Sequence, residues 1–162
     1  MAKVILICGK ICSGKSYYSK LLLKDYNAIV QSCDEVTSIL FSNDLGEKHD
    51  DMVAKIKTYL HKKTVEIVNL GNNVILDWGF WSKAERLLVT DYYKTRNIEI
   101  EWHYVDISLE DWHNNITSRN KNVIEGSTTD YYVDDGLLLK LNKLFDAPEK
   151  NEMDVWYLNK RG

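Results

Sequence analysis

The sequence predicts an α/β fold: a five-stranded parallel sheet covered by helices on both faces. Three observations predict it. Five short apolar or β-branched runs alternate with stretches of helical periodicity. The first run closes on Gly9 and leads directly into a helix. No linker, low-complexity tract or internal repeat breaks the alternation, and Pro148 is the one proline. A length of 162 residues with 44% hydrophobic and 28% charged side chains suits a single domain over 1–162 and excludes disordered, collagenous and coiled-coil chains.

The elements follow in order. Residues 3–8 read as a buried strand. Helical periodicity begins near Lys15 and puts Tyr18, Leu21, Leu22 and Leu23 on or near one face. A short strand spans 28–31, and a short helix starts from about Glu35. A longer helix near 49–70 places Val53, Ile56, Leu60, Thr64, Ile67 and Val68 on one stripe, with Gly71 suited to end it. Val74-Ile75-Leu76 form a third strand ending at Asp77. A helix from about Ser82 to Thr95, a strand near 99–105 and a helix from about Leu109 to Arg119 come next. The stretch 121–135, with Gly126, Ser127, Thr128 and Thr129, lacks periodicity and reads as a loop or flap. A helix near 136–146 and a strand at 155–158 finish the chain. Ligands of such sheets bind beyond the carboxyl ends of the strands.

Charge and cysteine usage narrow the function classes. Twenty-one bases against 24 acids give a net charge of -3, so no basic surface for nucleic acid or an anionic membrane is expected. No apolar run approaches the ~20 residues of a membrane span. The opening residues read as a strand rather than a signal peptide. Cys8, Cys12 and Cys33 have no metal-ligand spacing, which suits a reducing cytoplasm.

Gly9-Lys10-Ile11-Cys12-Ser13-Gly14-Lys15-Ser16 matches G-x-x-x-x-G-K-[ST], followed by Tyr17. Glycines let the backbone wrap a phosphate so that successive N–H groups point inward. The helix that follows adds positive potential at its start. Lys15 is expected to reach the β- and γ-phosphates of ATP, and the Ser16 hydroxyl to ligate Mg²⁺. The motif follows an apolar strand and opens an amphipathic helix, the context that supports it.

Asp34 and Asp77 are expected at the same sheet edge as this loop. Asp34 is a base for an acceptor hydroxyl or a helix cap, with Glu35 a rival base. Asp77 binds metal or substrate, or caps the next helix. Arg119, where a helix enters the flap, suits a clamp over the nucleotide, and Arg86 is a second candidate; either is otherwise a solvated charge. Arg96 is expected at the wrong end of the sheet, and Arg161 lies at the tail. Trp78, Phe80 and Trp81 either line a substrate pocket or pack helix on sheet. Cys12 is a small tolerated side chain, and His49, His61, His103 and His113 show no ligand or triad spacing.

The phosphate loop, the segment Val74-Ile75-Leu76-Asp77-Trp78-Gly79-Phe80-Trp81-Ser82-Lys83-Ala84-Glu85-Arg86, the pair Arg119-Asn120, and Phe145-Asp146-Ala147-Pro148 with Glu152 occur in that order. Together they resemble the small bacterial P-loop kinases of the AAA-type ATP-binding group, related to chloramphenicol phosphotransferase and zeta toxin. The resemblance implies a three-layer P-loop NTPase fold of the nucleotide-kinase type, with sheet order 2-3-1-4-5. It implies ATP, Mg²⁺ and transfer of the γ-phosphate to a hydroxyl. It maps the base onto Asp34 and the flap arginine onto Arg119, and sets the segment at Pro148 beside the adenine.

The expected activity is phosphorylation of a small-molecule hydroxyl, on an antibiotic, nucleoside or related metabolite. One alternative is an ATP-binding switch acting through a protein partner. A guanine switch is disfavoured, because Asn120-Lys121-Asn122-Val123 and Asn159-Lys160-Arg161-Gly162 lack the Asp of Asn-Lys-x-Asp. A polynucleotide 5′-kinase needs a basic groove. Residues 106–135 instead carry seven acids and two bases, which suits an amine-bearing acceptor better.

Overall fold

The computed structural model describes all residues except 43, 44, 129, 131, 161 and 162. Thr129 of the expected flap and the tail residues Arg161 and Gly162 therefore lie outside the described residues. The elements are β1 (Lys3–Cys8), α1 (Lys15–Leu22), β2 (Ala28–Gln31), α2 (Cys33–Phe41), α3 (His49–Asn69), β3 (Asn73–Gly79) and α4 (Lys83–Lys94). They continue with β4 (Glu99–Ile107), α5 (Leu109–Ile124), α6 (Asp135–Leu144) and β5 (Val155–Asn159), plus short 3-10 turns at Gly46–Lys48 and Lys150–Glu152.

The sheet has five strands in the order β2-β3-β1-β4-β5, all parallel. It is the order the resemblance implies. β1 is central, and its burial on both faces explains its unbroken apolar run. Val4, Leu6 and Cys8 face the side covered by Val68 of α3 and by Val89 and Tyr93 of α4. Ile5 and Ile7 face Tyr18 and Leu22 of α1. Each such Ile or Leu contributes about 1.5–3 kcal/mol of transfer free energy. α5 and α6 enclose a smaller cluster of Ile11, Ile107, Trp112, Ile116 and Val133.

The helix starts refine the expected boundaries. Ser32, Ser82, Ser108 and Asp134 are the side-chain N-caps of α2, α4, α5 and α6. α2 therefore begins at Cys33, and Asp34 stands in its first turn rather than at the end of β2. Asp77 lies inside β3, which runs on to Gly79. Neither carboxylate caps a helix. Gly71 ends α3 as expected, its N–H donating to the Val68 carbonyl. α5 is longer than its periodicity suggested, so Arg119 sits within the helix and residues 121–124 belong to it. Among the described residues no helix is long and apolar enough to cross a membrane.

Candidate functional site

β1 pairs with β3 in even register up to Leu6 and then slips, so that Cys8 aligns with Gly79. The Gly9 N–H still donates to the Gly79 carbonyl at 3.0 Å, and the loop Gly9–Gly14 follows directly. Gly14 has φ 98°, in the left-handed region, and a Cβ on it would lie 2.3 Å from Asn159 Nδ2. Only glycine fits that position. Cys12 also turns left-handed at φ 58°.

Lys15 Nζ donates to the carbonyls of Gly9 at 3.0 Å and Lys10 at 2.7 Å. Burial lowers its pKa, against the raising charges of Asp34 and Asp77. Lys10 Nζ rests 3.9 Å from the Trp112 ring centroid. Tyr18 and Ser19 face inward behind the loop, whereas Ser16 and Tyr17 are exposed. The Ser13 hydroxyl is fully buried and has no hydrogen-bond partner among the described residues.

Three side chains that sequence reasoning missed hold the loop from outside. Trp112 Nε1 donates to the Ile11 carbonyl at 2.6 Å, Asn115 Nδ2 to Cys12 at 3.0 Å, and Asn159 Nδ2 to Ser13 at 2.8 Å. Arg119 continues the same face of α5, with Nη1 3.6 Å from Cys12 Sγ and Nη2 3.7 Å from Asp130 of the flap. Beside it, Asn120 grips the flap at Val133, accepting from its N–H and donating to its carbonyl at 2.7 Å each.

Asp34 and Asp77 lie close enough to Lys15 for their charges to act on it, and Glu35 close enough to act on Asp77. Burial pushes Asp77 up to about 6; Lys15 opposes the rise, and Asp34 and Glu35 add to it. Asp34 and Glu35 themselves are exposed.

The aromatic segment divides. Phe80 is fully buried, stacked on Trp78 and edge-on to Trp102, so it belongs to the core and corrects its expected place against substrate. Trp78 is half-buried, its Nε1 donating to the Gln31 carbonyl at 2.9 Å and its ring against His61. The Trp81 ring folds back over Gly79, where a Cβ would lie 2.6 Å from its Nε1.

Arg86 also corrects its expectation. It is only 3% exposed and pairs with Glu152 at 3.3 Å. Its Nη1 donates to the Phe80 carbonyl at 2.9 Å. It braces the turn after β3 rather than meeting substrate. Pro148 itself is buried, and its segment is tied to the start of α4 by Asp146 N–H donating to the Trp81 carbonyl at 2.7 Å.

The loop fits a polyphosphate: it combines a left-handed glycine turn, a lysine and a helix start. Among the described residues no three His, Cys, Asp or Glu side chains converge as a metal cage. Ser16 and Asp77 supply hard oxygens of the kind Mg²⁺ takes when phosphates complete its shell.

Residues 4–146 match a family model described as an AAA domain. The chain belongs to that family. A comparison with curated protein sequences found no match. Among solved structures the chain is similar to a proposed kinase from Chloroflexus aurantiacus, with TM-score 0.72 and 14% identity over 98% of this chain and 84% of the other. It is similar to the APS kinase of Mycobacterium tuberculosis solved with AMPPNP and APS, with TM-score 0.65 and 18% identity over 99% and 90%. A sugar kinase from a Janibacter species gives TM-score 0.62 and 11% identity over 98% and 85%. At such identities the likeness is one of fold, and that fold is P-loop kinase-like.

Proposed function

We propose that this AAA-domain protein is an ATP-dependent phosphotransferase that moves the γ-phosphate to a hydroxyl of a small molecule. The observation that carries the reading is the pair Asp34 and Asp77 within electrostatic reach of Lys15, beside the phosphate-binding loop, with Glu35 in reach of Asp77. A binding switch needs the loop; transfer also needs a base beyond it. The kinases among the structural neighbours support transfer chemistry, and AMPPNP in one of them supports ATP.

ATP with Mg²⁺ supplies the transferable phosphoryl group. The amides of residues 9–16 hold its phosphates, and Lys15 and Arg119 neutralise the charge that develops on transfer. Ser16 and Asp77 offer oxygens to the metal. Asp34, or Glu35 beside it, takes the proton of the acceptor hydroxyl as the new O–P bond forms and the bond to the ADP oxygen breaks. No arginine precedes Arg86, so α2 and α3 lack the planar fork that suits a phosphate-bearing acceptor. A neutral or amine-bearing acceptor fits better than a polynucleotide end.

The test is product analysis with γ-labelled ATP and a panel of nucleosides, aminoglycosides, phenicols and sugars. A labelled small molecule is expected. Label appearing only as free phosphate across the panel would replace this reading with the ATPase switch.

A further inference from the structure

We propose that Trp112, Asn115 and Asn159, none of them in the motif, are positioning residues that hold the phosphate loop in its anion-receiving shape. The proposal rests on the nucleotide-binding part of the reading above. Three consecutive carbonyls, of Ile11, Cys12 and Ser13, each accept one side-chain hydrogen bond, at 2.6, 3.0 and 2.8 Å. The donors stand 101, 103 and 146 residues further along the chain.

In a planar trans peptide the C=O and N–H point in opposite directions. A donor that draws the carbonyl outward therefore turns the next N–H, of Cys12, Ser13 or Gly14, toward the inside of the loop. The Ser13 N–H closes the turn on the Lys10 carbonyl at 3.2 Å, a bond that fixes the loop from within. Inward-pointing N–H dipoles repel one another, so the shape needs anchors outside the loop. Trp112 and Asn159 are 4% and 2% exposed, so these anchors are built into the core. Trp112, Asn115 and Arg119 share one face of α5 by their spacing, and Arg119 reaches the same turn of the loop at Cys12.

The test uses Asn115→Asp and Asn159→Asp, which keep the shape and replace the donor that faces the loop carbonyl with an oxygen that repels it. A non-hydrolysable ATP analogue with Mg²⁺ is titrated by calorimetry, and the Gly14 amide is followed by NMR. Each variant is expected to bind roughly tenfold more weakly. The downfield displacement of the Gly14 amide proton on adding the analogue should shrink, a readout that general loosening of the fold does not move in a protein that still melts cooperatively. Asn115 is only half-buried, so its variant keeps the test readable if Asn159→Asp fails to fold. A parent that binds while Asn115→Asp shows the same Kd and the same Gly14 displacement overturns the proposal alone. A parent that does not bind the analogue overturns the nucleotide reading and this proposal with it.

Discussion

On the phosphate-loop side of the sheet edge, three loop carbonyls are tied to α5 and β5, and the Lys15 ammonium is tied to two more. On the α2–α3 side, Asp34 and Glu35 stand exposed on a helix of nine residues, and the same helix leaves Ile39 and Leu40 72% and 65% exposed. The first region presents backbone amides fixed by distant side chains. The second presents side chains on a short element with few ties. Substitutions on the second side can change what is bound there without disturbing the first. A fold that keeps one phosphate donor and varies its acceptor would be expected to divide its structure in this way.

The sharpest way to break this contrast is Asp34→Asn. It should leave ATP-analogue affinity near the parent value while lowering turnover on the true acceptor about 10²–10⁴-fold. Turnover equal to the parent's would remove Asp34 from the chemistry and turn attention to Glu35. Next in size is the acid limb of the activity. With Asp77 pushed up to about 6, its carboxylate is ionised at neutral pH and protonates as the pH falls through that value. The pH profile of kcat/KM should therefore fall below about pH 6, by up to tenfold per pH unit. Asp77→Asn should abolish this limb along with most of the activity, and a wild-type profile flat to pH 5 would show that its ionisation is not required.

The same division decides what could be read from the chain. The phosphate loop was legible because its chemistry is local: eight consecutive residues specify backbone conformation, lysine and hydroxyl together. Its anchors were not, because hydrogen bonds spanning more than a hundred residues leave no periodic trace. The strands and most helices followed from apolar periodicity, whereas the sheet order came from resemblance, since periodicity says nothing about which strands are neighbours. Phe80 and Arg86 were misplaced for a shared reason. Gly79 and Phe80 both turn left-handed, at φ 87° and 48°, and fold the chain back under the sheet edge instead of out toward solvent. The Arg86–Glu152 pair then closes that turn with a partner 66 residues away.

Two histidines, His103 buried and His61 half-buried, carry the comparison into stability. His103, packed beneath α1, has both ring nitrogens engaged, with Tyr18 and Glu101 at 2.6 Å each. His61, on the α3 side, has Tyr93 Oη at 2.6 Å on Nδ1 and otherwise lies against Trp78. Burial first, and the Lys57 charge second, lower His61 to about 4. The unfolded chain takes up this proton near pH 6.5 and the folded one only near 4. The stability His61 contributes is thus complete above pH 6.5 and is lost as the pH falls toward 4. Urea unfolding should show a loss on the order of 1–3 kcal/mol across that window from this residue. His61→Gln should flatten the slope; an unaltered slope would reject the assignment. His103→Gln should flatten it less, because Glu101 opposes the burial that lowers His103.

The smallest expected effect concerns the cap that sets α2. Ser32 Oγ accepts from the Glu35 N–H at 3.3 Å, a long bond on an exposed turn. The equivalent caps of α4 and α5 are shorter, at 3.0 and 3.1 Å. Removing a serine cap typically costs about 0.5–2 kcal/mol, and a bond this long belongs at the lower end. Ser32→Ala should therefore lower unfolding stability by about 0.5–1 kcal/mol and leave ATP-analogue affinity unchanged, since no loop anchor passes through α2. Its effect should fall on the acceptor: the first turn of α2 carries Asp34, so loosening that turn should lower kcat for transfer several-fold with little change in KM for ATP. Were KM for ATP to rise instead, the two sides of the sheet edge would be mechanically coupled, and the independence inferred from their hydrogen bonding would be wrong.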